Sequence, residues 1–185
     1  ALEKDLELYK HIKDEKRRTY AAMVHRLELN VGKIISTLKD QKLDQNTFIV
    51  FLSDNGGPVD ANASCNAPYN GQKGILLEGG IHVPFVMSWP GNIPENVTYD
   101  QPVSALDIAA TFFELSGGSI NKEEFTGVNL MPFITNQNEK VPHSDLKWKF
   151  TISRSIREGE WKSNPQVAFY AKKCHFEYNG HLFSE

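Results

Sequence analysis

The spacing of apolar residues predicts one long amphipathic helix near the start of the chain. Over residues 17–40, apolar side chains recur at intervals of three and four, which is the period of an α-helix with one apolar face. The face consists of Tyr20, Met23, Val24, Leu27, Val31, Ile34, Ile35 and Leu38. We expect the helix to bury this face.

Two short apolar runs predict strands. They are TFIVFLS, residues 47–53, and VPFVMSW, residues 83–89, and the second ends at a Pro-Gly pair. The first run is apolar on both of its faces. Such a run is typical of a central strand that is buried between two helical layers, as in a parallel sheet.

A second helix is predicted in SALDIAATFFELSGG, residues 104–118. Ser104 suits the N-cap, Asp107 suits the first turn, and the glycine pair suits the end. The side that we expect to lie on the sheet consists of Leu106, Ala109, Ala110 and Phe113. Further along, WKFTISRSIREGEWKS predicts short strands in a small antiparallel sheet, whereas residues 167–185 show no clear period.

The composition fits one globular domain, or a large domain with a small appendage. The chain has 185 residues, of which 40% are hydrophobic, and a formal net charge of -3. Because this charge offers no basic surface, we expect neither nucleic acid nor an anionic membrane as a partner. No apolar run is long enough to span a bilayer, and the charged first residues are unlike a signal peptide. The start at Ala1 leads us to expect a chain that is processed or cut from a longer one.

Two cysteines, Cys65 and Cys174, allow one disulfide and do not define the redox compartment. Asn62 and Asn96 each begin an N-glycosylation acceptor sequence. These two sequences favour an exported protein.

The candidate chemistry begins with DNGG, residues 54–57, at the end of the first strand. Asp, Asn and Gly are common in turns because they tolerate positive φ. Here, however, they follow a strand that we expect to be central and parallel, and the carboxyl end of such a strand is where α/β sheets place ligand sites. The irregular segment up to residue 80 also suits a site loop better than a hairpin.

A metal ion is one possible ligand. The Asp54 carboxylate and the Asn55 carbonyl are hard oxygen ligands that suit Ca²⁺ or Mg²⁺ rather than Zn²⁺. Two such ligands are too few for Ca²⁺, which takes about six to eight oxygens. Either this is not a metal site, or the other ligands come from elsewhere.

Lys73 is the only Lys or Arg between this turn and the second strand, and glycines lie close to it on both sides. It is either an exposed loop lysine or a compact charge that approaches an anion. We expect Glu78, which precedes two glycines, to hold loop backbone. His82 is equally compatible with a packed or surface histidine and with a ligand.

Taken together, DNGG, NAPYNGQKG and LLEGGIHVPFVMSWPG resemble the sulfatase family, of the arylsulfatase type. The likeness continues in RRTYAAMVHRLELNVGKII, SALDIAATFFELSGG, GVNLMPF and IREGEWK, so that it covers residues 16–162. The order and spacing of several motifs agree, which is more specific than any one motif.

The resemblance implies an α/β fold, namely an alkaline-phosphatase-like sandwich. Residues 1–140 would be the carboxyl-terminal portion of its main domain, and residues 141–185 a small subdomain with an antiparallel sheet. Sulfatases hydrolyse sulfate esters with a formylglycine, made from cysteine, beside a Ca²⁺ ion. The resemblance implies that Asp54 and Asn55 are metal ligands, and that Lys73 is a catalytic residue that binds the substrate sulfate.

The chain also departs from the family pattern. No cysteine precedes Asp54, and Cys65 lies after DNGG in a segment without the motif's arginine. His82 and Asn70 stand where the family commonly has arginine. We therefore expect the formylglycine and the remaining ligands outside this chain, in a missing amino-terminal part of the same protein, and no activity from the chain alone.

The expected substrate is a sulfated small molecule or glycan, and the expected location is lysosomal, extracellular or periplasmic. Two alternatives remain. One is a phosphatase or phosphodiesterase of the same superfamily, and the other is a binding module that keeps the fold without catalysis.

Overall fold

The computed structural model describes residues 1–121 and 123–164, together with the backbone of residues 177–178 and 181–182. The helices are α1 (Glu3–Leu8), α2 (Glu15–Asp40), α3 (Val59–Asn62), α4 (Glu78–Ile81), α5 (Leu106–Leu115) and α6 (Met131–Ile134), with a 3-10 turn at Asp44–Asn46. The strands are β1 (Ile49–Leu52), β2 (Phe85–Ser88), β3 (Asp145–Phe150), β4 (Ser153–Glu158), β5 (Trp161–Ser163), β6 (Glu177–Tyr178) and β7 (His181–Leu182). The possible disulfide involves Cys174, which lies outside the described residues. None of the described helices has the length and apolar character that crossing a membrane requires.

Helix α2 confirms the helix expected from the periodicity. Asp14 caps its start by accepting a hydrogen bond from the backbone N–H of Arg17 at 2.7 Å. A bidentate pair between Asp5 and Arg26 connects α1 to α2, and one of its bonds runs from Arg26 Nε to Asp5 Oδ2 at 2.8 Å. The hydrogen bond and the charge of Arg26 lower the pKa of the Asp5 carboxyl, although burial opposes this shift.

The expectation that α2 buries its apolar face is wrong. Ala22 is its buried residue, whereas Met23, Val24, Leu27, Ile34 and Ile35 are exposed. Periodicity shows that a helix has an apolar face, but burial also needs an element that packs on this face. Among the described residues, no element covers these five side chains.

Strands β1 and β2 pair antiparallel, with Ile49 opposite Ser88 and Leu52 opposite Phe85. This corrects the expected central parallel strand. A run that is apolar on both faces predicts an apolar environment for the strand, but it does not predict whether the strand pairs parallel or antiparallel. Nor is β1 buried on both faces within the described structure, because Phe51 and its partner Val86 are exposed.

Helix α5 is also confirmed, but its N-cap is Ala105 rather than the expected Ser104, and Ser104 is hydrogen-bonded to the first turn from one residue further out. Ser104 Oγ accepts a hydrogen bond from the N–H of Leu106 at 3.2 Å, and the Asp107 carboxylate accepts one from the N–H of Ser104 at 2.7 Å. The helix ends before Gly117, which has a φ of +91°.

The face that α5 buries differs from the predicted one. Leu106, Ala109 and Phe113 are exposed, and the buried residues are Asp107, Ala110 and Thr111. The reason is that residues 127–130 pack along the side of α5 that carries Asp107 and Thr111. The N–H of Val128 donates to Asp107 Oδ1 at 2.9 Å, and the N–H of Leu130 donates to Thr111 Oγ1 at 3.0 Å. Hydrogen bonding inside the protein, rather than apolar periodicity, selects the buried side.

The predicted carboxyl-terminal sheet is confirmed. Strand β4 pairs antiparallel with both β3 and β5 in the order β3-β4-β5. Asp145 lies opposite Glu158, which in turn lies opposite Trp161. The sheet therefore occupies residues 145–163, and β6 and β7 form a separate antiparallel pair.

Candidate functional site

The DNGG turn continues β1 into a backbone that is anchored to the start of α4. The N–H of Ser53 donates to the carbonyl of Pro84 at 3.2 Å, and the N–H of Gly56 donates to the carbonyl of Gly80 at 2.9 Å. The turn is thus fixed against the segment that leads into β2.

Glycine is required where these two segments meet. A Cβ atom on Gly56 would lie 1.8 Å from the carbonyl oxygen of Gly79, and a Cβ on Gly80 would lie 1.9 Å from the carbonyl oxygen of Ile75. Neither distance leaves room for any side chain. The glycines of DNGG and of LLEGG therefore permit a close backbone contact between the turn and α4, and a second one between α4 and the preceding loop.

Asn66 joins the turn to the loop that carries Lys73. Its Oδ1 accepts from the N–H of Gly57 at 2.9 Å, and its Nδ2 donates to the carbonyls of Gly57 at 2.9 Å and Gly71 at 3.0 Å. The sequence did not identify this residue. The one sequence feature that could have indicated its role is an amide side chain within a Gly-rich and Asn-rich segment. In such a segment, unpaired backbone groups need side-chain partners.

Asp54 and Asn55 lie at the surface end of β1. Asp54 is exposed, and its Oδ1 accepts from the N–H of Asn55 at 3.0 Å. The Asn55 side chain donates from Nδ2 to the carbonyl of Gly56 at 3.0 Å, and this hydrogen bond orients the amide group. Asp54 Oδ2 and Asn55 Oδ1 accept no hydrogen bond from the described residues.

These two oxygens are of the type that binds a hard cation, but two ligands are too few to complete its coordination. Oxygens of carboxylate and amide groups are the ligands that Ca²⁺ and Mg²⁺ prefer. Among residues 1–121 and 123–164, however, no group of three or more His, Cys, Asp or Glu side chains could hold a metal. The pair is compatible with one part of a metal site.

Lys73 is exposed and lies between two glycines with positive φ, Gly71 at +99° and Gly74 at +85°. It makes no ion pair with any described residue. Because Asn66 bonds to both Gly57 and Gly71, the structure brings the Lys73 loop next to the DNGG turn. An exposed and unpaired ammonium group in such a loop is available to an anionic ligand.

Glu78 is a structural contact, as expected, but its partners are side chains rather than loop backbone. Its Oε1 accepts from Lys162 Nζ at 2.7 Å, and its Oε2 accepts from Arg157 Nη1 at 3.4 Å. Desolvation raises the pKa of Glu78, but the hydrogen bond and charge of Lys162 and the charges of Arg157 and His82 outweigh it, so that the pKa is lowered. Neither basic partner was identified from the sequence.

His82 is a surface histidine in this structure. Its Nδ1 lies 3.1 Å from Glu78 Oε2, and its ring stacks on Tyr69 with the centroids 4.5 Å apart. Asn70, which stands at the second position where arginine is common, is exposed and accepts the N–H of Gly79 on its backbone carbonyl at 2.7 Å.

Comparisons with known proteins agree on one family. The Sulfatase family model matches residues 3–118. The uncharacterized sulfatase YdeN of Escherichia coli (strain K12) is 34% identical over 141 residues, which are 75% of this chain and 25% of that protein. Arylsulfatase H of Canis lupus familiaris is 32% identical over 149 residues, covering 76% of this chain and 26% of that protein.

A solved structure extends the similarity to three dimensions. The crystal structure of Ps i-CgsB in complex with k-i-k-neocarrahexaose matches with a TM-score of 0.79 and 34% identity. The match covers 89% of this chain and 37% of that chain, so the two share an α/β fold over most of this chain.

The chain spans about a quarter of the length of the curated relatives that it matches. Within this span, the family match covers more than half of the chain and includes the turn, the Lys73 loop and both strands β1 and β2. The chain therefore belongs to the sulfatase family.

Proposed function

We propose that this chain is part of a sulfuric ester hydrolase, in which Asp54 and Asn55 supply two ligands of a Ca²⁺ site and Lys73 binds the substrate sulfate. The observation that carries the proposal is the Asn66 side chain. By bonding to Gly57 and Gly71, it holds the candidate metal ligands and the candidate sulfate-binding lysine on adjoining segments.

Each residue has a role that its chemistry supports. The two oxygens at the end of β1 offer hard ligands, and the backbone contact between Gly56 and Gly80 fixes the turn that presents them. The Lys73 ammonium group neutralises negative charge on the sulfate and on the departing oxygen. A Ca²⁺ ion, when bound, would withdraw electron density from the sulfate oxygens.

The remaining parts of the site would come from residues outside this chain. They are the formylglycine nucleophile and the other metal ligands, because two oxygens do not complete the coordination of Ca²⁺. We propose that the amino-terminal part of the same protein supplies them. By itself, the chain described here would then hydrolyse no sulfate ester.

We propose a sulfated glycan as the substrate class. The support is the similarity to Ps i-CgsB, whose structure was solved in complex with k-i-k-neocarrahexaose. The exposed position of Lys73 is also compatible with a large substrate, since nothing in the described part of the chain encloses it.

We further propose that the fold is the alkaline-phosphatase-like sandwich expected from the motifs. Residues 1–140 would belong to its main domain and residues 141–185 to a small subdomain. We also propose a lysosomal, extracellular or periplasmic location. Its support is the two acceptor sequences, at Asn62, which is half-buried, and at Asn96, which is exposed.

The test uses the full-length protein with matched sulfate and phosphate esters of one aryl alcohol and with a sulfated oligosaccharide. We expect the sulfate esters to be hydrolysed, and Lys73→Ala to lower kcat/KM by about 100-fold or more. Lys149→Ala is the matched control, because Lys149 is an exposed lysine on β3. Preferential hydrolysis of the phosphate ester, or equal activity of the two lysine variants, would overturn the proposal.

A further inference from the structure

We infer that the carboxyl-terminal sheet β3-β4-β5 positions the loop that carries Lys73, and that Glu78 is the central positioning residue. The inference rests on the proposed function only for its effect on catalysis. Its structural part concerns the order of residues 71–78 and can be tested separately.

The first contact between the sheet and the loop is ionic. Lys162 on β5 and Arg157 on β4 both reach the Glu78 carboxylate, across 84 and 79 residues of sequence. All three side chains are largely shielded, with 14% of Lys162 and 28% of Arg157 and of Glu78 exposed. Such a partly desolvated pair is screened less by solvent than a fully exposed one.

Lys162 is itself held in place. Its ammonium nitrogen lies 5.3 Å from the centre of the Trp148 ring on β3, which is within the range of a cation–π contact. The ring and the carboxylate together restrict a long and flexible side chain. Lys162 therefore acts as a fixed anchor for Glu78.

The sheet also approaches the loop next to Lys73, through an aromatic ring. The ring atom Cε1 of Phe150, at the end of β3, lies 3.8 Å from the position that a Cβ on Gly74 would occupy. The sheet thus lies close to the loop at Gly74, immediately after Lys73, and bonds to it at Glu78. The short segment between these two residues lies between the two points of approach.

The loop needs such support because of its glycines. Gly71 and Gly74 both adopt positive φ, and glycine loses more conformational freedom on folding than any other residue. Without the sheet, the position of Lys73 would depend mainly on Asn66 and local turns. A displacement of a charged group by about 1 Å at a reacting centre can lower a rate by about 100-fold.

The structural test compares amide hydrogen exchange of residues 71–78 in the full-length protein and in the variants Glu78→Gln, Lys162→Met and the double variant. We expect exchange to become about 10-fold faster in each single variant. The double variant should be no faster than Glu78→Gln alone, because Lys162→Met removes only one of the ion pairs that the loss of the Glu78 charge already removes. Asp145→Asn is the matched control, since Asp145 pairs with Lys147 on the same sheet and not with the loop.

The catalytic test measures KM and kcat for the sulfate ester separately. We expect Glu78→Gln to raise KM by about 10-fold in the folded enzyme, whereas a general loss of stability would lower the amount of active enzyme and leave KM unchanged. Exchange rates that match those of the Asp145→Asn variant would overturn the inference. Faster exchange with unchanged KM would overturn the part of the inference that concerns catalysis. If the unaltered protein hydrolyses no sulfate ester, the proposed function fails, and the exchange rates still decide whether the sheet orders the loop.

Discussion

Gly56 and Gly79 lie so close together that a Cβ atom on Gly56 would be 1.8 Å from the carbonyl oxygen of Gly79. The two glycines come from segments that are separated by the whole Lys73 loop. Their contact fixes the turn that carries Asp54 and Asn55 against the start of α4. The geometry of the candidate site therefore depends on the absence of side chains at these positions.

Gly56→Ala should destabilise the protein by about 3 kcal/mol, because backbone atoms cannot move aside as a flexible side chain could. Urea unfolding measures the change. Gly32→Ala is the matched control. Gly32 lies within α2, and a Cβ there meets nothing within 4 Å. Alanine at this position should therefore raise the free energy of unfolding by about 0.5–1 kcal/mol. Equal effects of the two substitutions would contradict the close contact.

Asp107→Asn should destabilise the protein by about 2–3 kcal/mol. The fully buried carboxylate accepts from the N–H groups of Ser104 and Val128, and His143 Nε2 lies 2.9 Å from each of its oxygens. Since a carboxylate only accepts, this ring nitrogen must carry a proton. An amide would turn a donor toward one of these three donors.

The control for this substitution is Asp100→Asn, at an exposed aspartate, which should change the free energy of unfolding by less than about 0.5 kcal/mol. Urea midpoints of the two variants give the comparison. A loss of stability of the same size in both would show that the buried network contributes nothing specific.

Glu78 should make stability depend on pH in the acid range. Because its pKa in the folded protein is lowered from the ordinary value of 4.5, the unfolded chain binds the proton more readily. The stabilisation that ionised Glu78 contributes is therefore fully present above pH 4.5, and it is lost as the pH falls through the pKa of the folded state.

The measurement is a series of urea midpoints at different pH values, for the unaltered protein and for Glu78→Gln. The difference in urea midpoint between the unaltered protein and the variant should be largest near neutral pH and should become smaller in acid. A difference that stays constant across this range would rule out the ionised carboxylate as its cause.

Asp54→Ala should lower the affinity of the full-length protein for Ca²⁺ by about 10-fold or more, because it removes the only charged ligand that this turn offers. Isothermal titration calorimetry measures the affinity. Asp100→Asn again serves as the control, since it removes an exposed carboxylate that is not part of the turn. Indistinguishable affinities of the Asp54 variant and the unaltered protein would exclude the metal role.

Local patterns predicted the elements well. The period of apolar residues located α2, residues typical of helix ends located α5, and the run WKFTISRSIREGEWKS located the strands of the carboxyl-terminal sheet. These patterns are set by the geometry of a single helix or strand, so that one sequence contains them in full. The same is true of the stop at Gly117, whereas the N-cap lies at Ala105, one residue after the predicted Ser104.

What the sequence could not provide depends on contacts between distant segments. The antiparallel pairing of β1 with β2, the exposure of the α2 face and the burial of Asp107 all follow from what packs against each element. Asn66 and Lys162 were missed for the same reason, because their partners lie on other segments. The chemistry and position of Asp54, Asn55 and Lys73 made them candidates, and several motifs in a fixed order supplied their expected roles.

The exposed apolar face of α2 has a consequence for how the protein matures in a cell. With 26 residues, this helix is about 39 Å long, and it presents Met23, Val24, Leu27, Ile34 and Ile35 to water. Apolar surface that remains uncovered during synthesis is what chaperones bind and what drives aggregation. The yield of soluble protein should therefore depend on how soon another surface covers this helix.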